Sequence, residues 1–446
     1  MSDTGNTTAP QKLKINLSNV ERAVVYTAVF LAPYATFRFS TLFFTVSDFF
    51  FCISLLLLTI DGRICSKALD NLTGLWLLAF TVLFVGMMTG SLANGDPVRG
   101  LVVMAQYLFA YLVLMLIVLR SDPTEAYRLA AIFLLSVMLI DLHGVITFYA
   151  VGYVPAAEKG VVTGGKRLAT VLRNPNLAAA INALTLPILL FFWSSGRLKS
   201  YVALPAVSLI LVTVVLTSSN SGLFVTIVSL GVFTATISTP RLLLRLASGA
   251  VLVVGALALF GSKDLFPQTF QRRVLDAISS GEISEAGTFA SRAALMEEAL
   301  QTISDRGIWL VGIGADQFRQ VSVQEAPVHN LYLLLWVEGG LLAFIGWMMF
   351  SCIGLLLLLA VRKGNGDKSA MAAVITTIVA ILIIAFSNPH MYARYWTIPV
   401  FLSFGLALAR LKHPPEADQP LGVHRWKPVE ALKPNRGAAV VHPLEW

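Results

Sequence analysis

The sequence predicts an all-α fold: a polytopic integral membrane protein with about twelve transmembrane helices and one large loop between spans 9 and 10. Three observations predict it. The 446 residues are 56% hydrophobic and only 13% charged, whereas a soluble chain carries roughly 25% charged residues. Apolar runs of about 18 residues or more recur along most of the chain, the length a helix needs to cross a bilayer. These runs lack the alternation of a β-barrel strand, and lipid satisfies no backbone hydrogen bonds, so helices are the spanning form.

In chain order the expected spans are 20–37, 40–60, 73–90, 99–119, 127–150, 176–195, 200–217, 221–238, 242–261, 340–361, 370–388 and 393–411. Residues 1–19 form a cytoplasmic N-terminal segment, 20–261 the membrane domain of spans 1–9, and 262–328 the large loop. Residues 329–411 return to the membrane as spans 10–12, and 412–446 form a Pro-rich, basic tail expected to be disordered. The first residues are polar and lack a signal-peptide hydrophobic region, so the first span is expected to act as the insertion signal.

Orientation follows from the short loops. Arg63 and Lys67, Arg120 and Arg128, Arg197 and Lys199, Arg241 and Arg245, and Arg362, Lys363 and Lys368 fall on alternate loops. With both termini on one side, all of these loops are cytoplasmic. The net charge of +8 therefore reflects topology more than nucleic-acid binding. Cys52, Cys65 and Cys352 suggest neither a disulfide framework nor a metal-ligand spacing.

Two loops on the outer side carry cations that the topology rule does not predict. The first, about 151–175, contains GGKRLATVLRNPN, with Lys166, Arg167 and Arg173. The second, about 262–328, contains Arg272, Arg273, Arg292, Arg306 and Arg319. Long loops translocate whatever their charge, so the short one carries the argument. An anionic ligand held at the outer membrane surface accounts for it.

Within the long loop, FASRAALMEEALQTISDRG places Leu295, Met296, Ala299, Leu300 and Ile303 at helical spacing, which predicts an amphipathic helix over 289–304. Arg292 falls on its apolar face. Two readings stand: a guanidinium facing inward to meet an anion, or a stem on the apolar face with its head in water. IWLVGIGADQF follows, where Gly312 and Gly314 read as a turn before they read as a phosphate loop, because no strand precedes them.

APVHNLYLLLWVEGG leads into span 10. Pro327 disfavours helix before it, so the helix is expected to begin near Val328 or His329. In its first turn the helix dipole favours a neutral imidazole, which can accept a proton. An interfacial anchor is the alternative role of His329. Gly339 and Gly340 allow a bend before the span proper.

RLATVLRNPN at 167–176, LTSSNSGL at 216–223, SRAALMEEAL at 291–300, VGIGADQF at 311–318 and HNLYLLLWVEGG at 329–340 occur in this order on this topology. Together they resemble the bacterial O-antigen ligase and Wzy-type O-antigen and exopolysaccharide polymerase superfamily. His329, Asn330 and Gly340 fit the ligase pattern, whereas Ala343 stands where that pattern has Gly, Thr or Tyr. Many relatives have an arginine in the short outer loop where this chain has Asn220.

The resemblance implies a large periplasmic loop, a site on the periplasmic face of the bacterial inner membrane, and a glycan donor on undecaprenyl diphosphate. It implies polymerisation of an exopolysaccharide or O-antigen, or ligation of the glycan to lipid A-core. The expected chemistry is metal-independent inverting transfer with no cofactor. His329 would act as base toward the acceptor hydroxyl, while Arg292 and Arg167 hold the diphosphate, supported by Arg173, Lys166, Asn220 and Asn330. His390 and Arg394 in SNPHMYARYW could border the site, although Tyr392, Tyr395 and Trp396 also read as an interfacial aromatic belt. Asp48, Asp141 and His143 lie in expected spans, where packing through interhelical hydrogen bonds competes with function. A flippase or transporter is a more distant alternative, but no half-chain repeat appears and the polar signal gathers at the outer surface.

Overall fold

The structure is a computed structural model that describes residues 17–37, 44–120, 122–151, 160–237, 268–271, 289–364 and 367–412. The expected span at 242–261, the cations Arg241, Arg245, Arg272 and Arg273, and most of the expected N-terminal segment and tail lie outside the described residues.

Helices α1 (Leu17–Leu31) and α2 (Val46–Ile60) are shorter than the spans expected there. Pro33 follows α1 closely and cannot donate to its hydrogen-bond ladder. Thr45 opens α2 with a capping box: its hydroxyl accepts from the Asp48 amide, and the Asp48 carboxylate accepts from the Thr45 amide. Next come α3 (Thr73–Asn94), α4 (Pro97–Val118) and α5 (Pro123–Ala150). A hairpin of β1 (Val162–Thr163) and β2 (Arg167–Leu168) precedes α6 (Pro175–Ser194), α7 (Ser200–Thr217) and α8 (Asn220–Ile237). Helices α4, α5 and α6 start on one device: Asp96, Asp122 and Asn174 accept first-turn amides, and the next residue is proline. That proline lacks only a donor the helix would have left unused.

After the segment outside the described residues come α9 (Phe289–Asp305), α10 (Phe318–Val321), α11 (Leu331–Gly364), α12 (Lys368–Ala385) and α13 (Arg394–Lys412). Eight of the described helices are long and apolar enough to cross a membrane, with α2 a shorter apolar helix beside them. The starts of α2, α4, α6, α8, α11 and α13 share one end of the bundle, termed the upper end. The starts of α3, α5 and α12 share the lower end.

Helix α6 is buried along nearly its whole length and packs on α7, α8, α12 and α13. Its Asn182 donates to Asp141 of α5 at 3.0 Å, with both side chains buried, while His143 faces outward. Asp141 thus makes a hydrogen bond between helices, the contact its packing reading called for. Helices α3 and α11 approach backbone to backbone. A Cβ on Gly86 would fall 2.4 Å from the Ala343 amide nitrogen, and one on Gly90 2.5 Å from the Glu338 carbonyl oxygen.

The bend expected at Gly339 and Gly340 is present, with Gly340 at φ +71° inside α11. The loop that precedes α11 replaces the broken helix bonds. Ile313 and Gly314 donate to the carbonyls of Val337 and Glu338 at 2.9 and 2.8 Å, and Leu341 donates to Trp309 at 3.1 Å. Gly312 permits this docking, because a Cβ there would fall 2.2 Å from the Glu338 carbonyl carbon. The G-x-G therefore serves backbone packing at a kink, where freed polar groups need new partners.

Candidate functional site

Helix α9 begins at its expected residue, ends one residue later than expected, and buries Leu295, Ala299 and Ile303. They pack against Val328, Leu333, Leu334 and Val337 at the start of α11. Arg292 shares that face: it is half-buried, while Ser291, Ala293 and Ala294 around it are exposed. Polar ties fix the helix to the turn before His329. Ser291 donates to Gln324 at 2.7 Å, and Glu298 accepts the Val323 amide at 2.8 Å.

Helix α11 begins at Leu331, later than expected, because Asn330 caps it. Asn330 Oδ1 accepts the Leu333 amide at 3.2 Å, and its carbonyl accepts the Leu334 amide at 2.9 Å. His329 consequently lies just before the cap and not in the first turn. Its imidazole pKa is lowered all the same, first by burial and then by the nearby charge of Arg292. The expected direction holds, but the physical cause is burial and a neighbouring cation.

His390 comes to the same place from the segment between α12 and α13. Burial pushes its pKa down to about 4; Asp316 opposes this, and Arg99, His329 and Arg319 add to it. The ring lies 5.3 Å from that of Tyr392. Arg99, in the first turn of α4, holds Asp316 Oδ2 through Nε at 3.0 Å and Nη2 at 2.8 Å. Arg292, His329, His390, Arg99 and Asp316 thus form one electrostatic cluster, although they come from four separate stretches of chain.

Arg394 pairs with the buried Asp48 at 2.9 Å. Both line a cavity of about 800 Å³ that also includes Arg99 and Tyr392. His390 and Arg394 were both expected only as a possible border: His390 belongs to this cluster, and Arg394 flanks it on the side of α2 and α4.

The cations of the short loop form a second group. Arg167 Nε donates to the Thr217 carbonyl at 2.9 Å, and its Nη2 reaches Asn176 at 3.1 Å and the Ser218 carbonyl at 3.5 Å. These contacts seat the hairpin on the turn between α7 and α8. Ser218 adopts φ +50° there, Ser219 caps α8, and Asn220 is the first residue of α8. Lys166 stands 5.4 Å over the Phe148 ring, and Arg173 is exposed at the end of a 3-10 turn.

Arg99 and Asp316 were not among the residues the sequence singled out. The signal existed for Arg99: NGDPVRG is another short outer loop with a cation. Starting the span at residue 99 hid it. Asp316 had no local signal, since its partner lies more than two hundred positions away.

Comparison with protein-family models matches residues 205–348 to Wzy_C, the O-antigen ligase family. The match covers about a third of the chain and supports the likeness to the O-antigen ligase and Wzy-type family that the motifs suggested. It takes in Asn220, Arg292, His329 and Asn330. Arg99, Arg167, His390 and Arg394 lie outside it. No curated protein matches the chain.

Proposed function

We propose that the protein is a membrane glycosyltransferase that polymerises an exopolysaccharide or O-antigen at the periplasmic face of the inner membrane. The donor is a glycan on undecaprenyl diphosphate, as the likeness to this family suggests, and the acceptor is a sugar hydroxyl. The observation that carries this reading is the half-buried His329 beside the inward-facing Arg292, outside the membrane-spanning part of α11.

The acceptor oxygen attacks the anomeric carbon while its proton passes to the neutral His329 imidazole. The bond from that carbon to the phosphate oxygen breaks, and the diphosphate leaves as an anion with inversion at the sugar. Arg292 meets the charge that develops on the leaving group; its fork binds two phosphate oxygens and remains charged. Arg167 shapes the turn that carries Asn220, and its contacts with carbonyls suit a positioning role toward the same ligand. Arg173 and Lys166 support the field at the loop surface, and Asn330 holds His329 by capping α11.

His329→Ala should lower transfer by about 10²–10⁴-fold while leaving membrane abundance unchanged. Polymer of normal length and amount from that variant would remove His329 from the chemistry. Ligation to lipid A-core is a second reading, favoured by the description of the matching family. Deleting the gene separates the two: single repeat units still reaching lipid A mean that polymerisation was lost, and none reaching it means that ligation was lost.

A further inference from the structure

The cavity of about 800 Å³ between α2, α4 and residues 392–395 has no part in the transfer step above. Its α4 wall is one helical stripe, Arg99, Val102, Ala105, Gln106 and Phe109, charged at the upper end and apolar below. Phe44 adds to the apolar part, and Arg394 faces Arg99 across the polar part.

Polar groups in this cavity remain available. Arg394 Nε and Gln106 Oε1 are buried and have no hydrogen-bond partner among the described residues. Asp48 competes little for a ligand, because its Oδ2 already accepts the Thr45 amide, the Thr45 hydroxyl and Arg394. Asp316 likewise fixes Arg99 in place. A π-helical turn, Phe109–Val113, interrupts α4 at the base of the stripe, an irregularity that often marks functional sites. The Tyr111 hydroxyl anchors the facing segment by donating to the Met391 carbonyl at 2.8 Å.

We infer that this cavity binds the phosphate-bearing head and first lipid segment of a membrane-anchored substrate, with Arg99 and Arg394 on the phosphate and the α4 stripe along the chain. A volume of this size is typical of a ligand site, and the gradient from charge to hydrocarbon matches an anionic amphiphile lying along the bilayer normal. The inference rests on the transfer reading, for the Arg99 end of the cavity joins the cluster that includes His390 and His329.

The test uses the full-length protein in detergent, with binding of undecaprenyl diphosphate and of lipid A followed by native mass spectrometry. Removing Arg394 strands the buried Asp48, so the informative variant is Ala105→Trp, which fills the cavity and spares both ion pairs. The lost contacts should weaken binding about tenfold or more. A loss confined to undecaprenyl diphosphate supports the cavity as the site of the prenyl carrier. A loss confined to lipid A supports it as the site of the acceptor lipid. Unchanged binding of both overturns the inference, whatever happens to transfer. His329→Ala should bind both probes normally; if that variant also transfers normally, the transfer reading fails while the binding result stands.

Discussion

The two ends of the bundle share one use of arginine and differ in a second. At the lower end, carboxylates of the fold hold the cations. Glu21, fully buried, accepts from Arg120 at 2.7 Å and Ser54 at 2.7 Å, with Arg63 at 3.6 Å. Glu125 holds Arg128 at 3.0 Å and Arg22 at 3.3 Å, and Asp367 holds Arg410 at 3.2 Å. Arg197 stacks 3.9 Å over the Tyr127 ring. At the upper end, Asp316 and Asp48 likewise hold Arg99 and Arg394, but Arg292 and Arg99 also act on His329 and His390 and favour their neutral forms. A count of cations by loop reads orientation at the lower end. At the upper end the same residue type builds a field around two imidazoles.

The comparison can be broken most sharply at the lower end. Glu21→Ala leaves Arg120 without its carboxylate, while Arg63 keeps Asp61, and should cost about 3–5 kcal/mol of stability. Thermal unfolding in detergent measures the loss, and transfer per folded molecule should hold. A fall in transfer without a fall in stability would give the lower end a catalytic role.

A smaller stability effect with a larger functional one is expected at the upper end. Gly312→Ala drives a Cβ into the Glu338 backbone and should cost about 1–3 kcal/mol. Transfer should suffer too, because the displaced loop carries Asp316 and with it Arg99. Retained activity would separate the kink from the site.

Arg292→Lys keeps the charge but loses the fork, so transfer should fall roughly tenfold with abundance unchanged, the loss of about one charged hydrogen bond. Turnover equal to the parent would leave Arg292 with its stem on the apolar face and no ligand.

The mildest expectation concerns pH. Transfer needs neutral His329, whose pKa lies below the usual imidazole value, so the acid limb should fall below about pH 6.5. Arg292→Gln removes a like charge, raises that pKa and should move the acid limb to higher pH. His390 adds a stability counterpart. The unfolded chain binds its proton near pH 6.5 and the folded one only near pH 4, so stability falls as pH drops between about 6.5 and 4. A pH–rate profile and a pH series of unfolding temperatures check the two statements.

Much of the architecture was legible because its causes are local. Asp96-Pro97, Asp122-Pro123 and Asn174-Pro175 start helices by capping chemistry that spans a few residues. The spacing of Leu295, Ala299 and Ile303 was enough to place α9 within a residue and to put Arg292 on its inner face. Reading was weaker where a cap competed with a neighbour: His329 was expected inside α11, and Asn330 took the capping position instead.

The amino-acid sequence by itself therefore determined the helical membrane class, most helix starts, the bend at Gly340 and the placement of Arg292 on the inner face of α9. Each depends on apolar run length, capping or periodicity, which act over one or two turns. Only the tertiary structure decided that Arg99 meets Asp316, that His390 joins His329, and that Arg167 serves the carbonyls beside Asn220. Those contacts are hydrogen bonds and fields between residues far apart in the chain. For Asp316 the approach is made possible by α3 and α11, which close backbone to backbone on their glycines and hold the loop of Gly312 and Gly314 beside the end of α3.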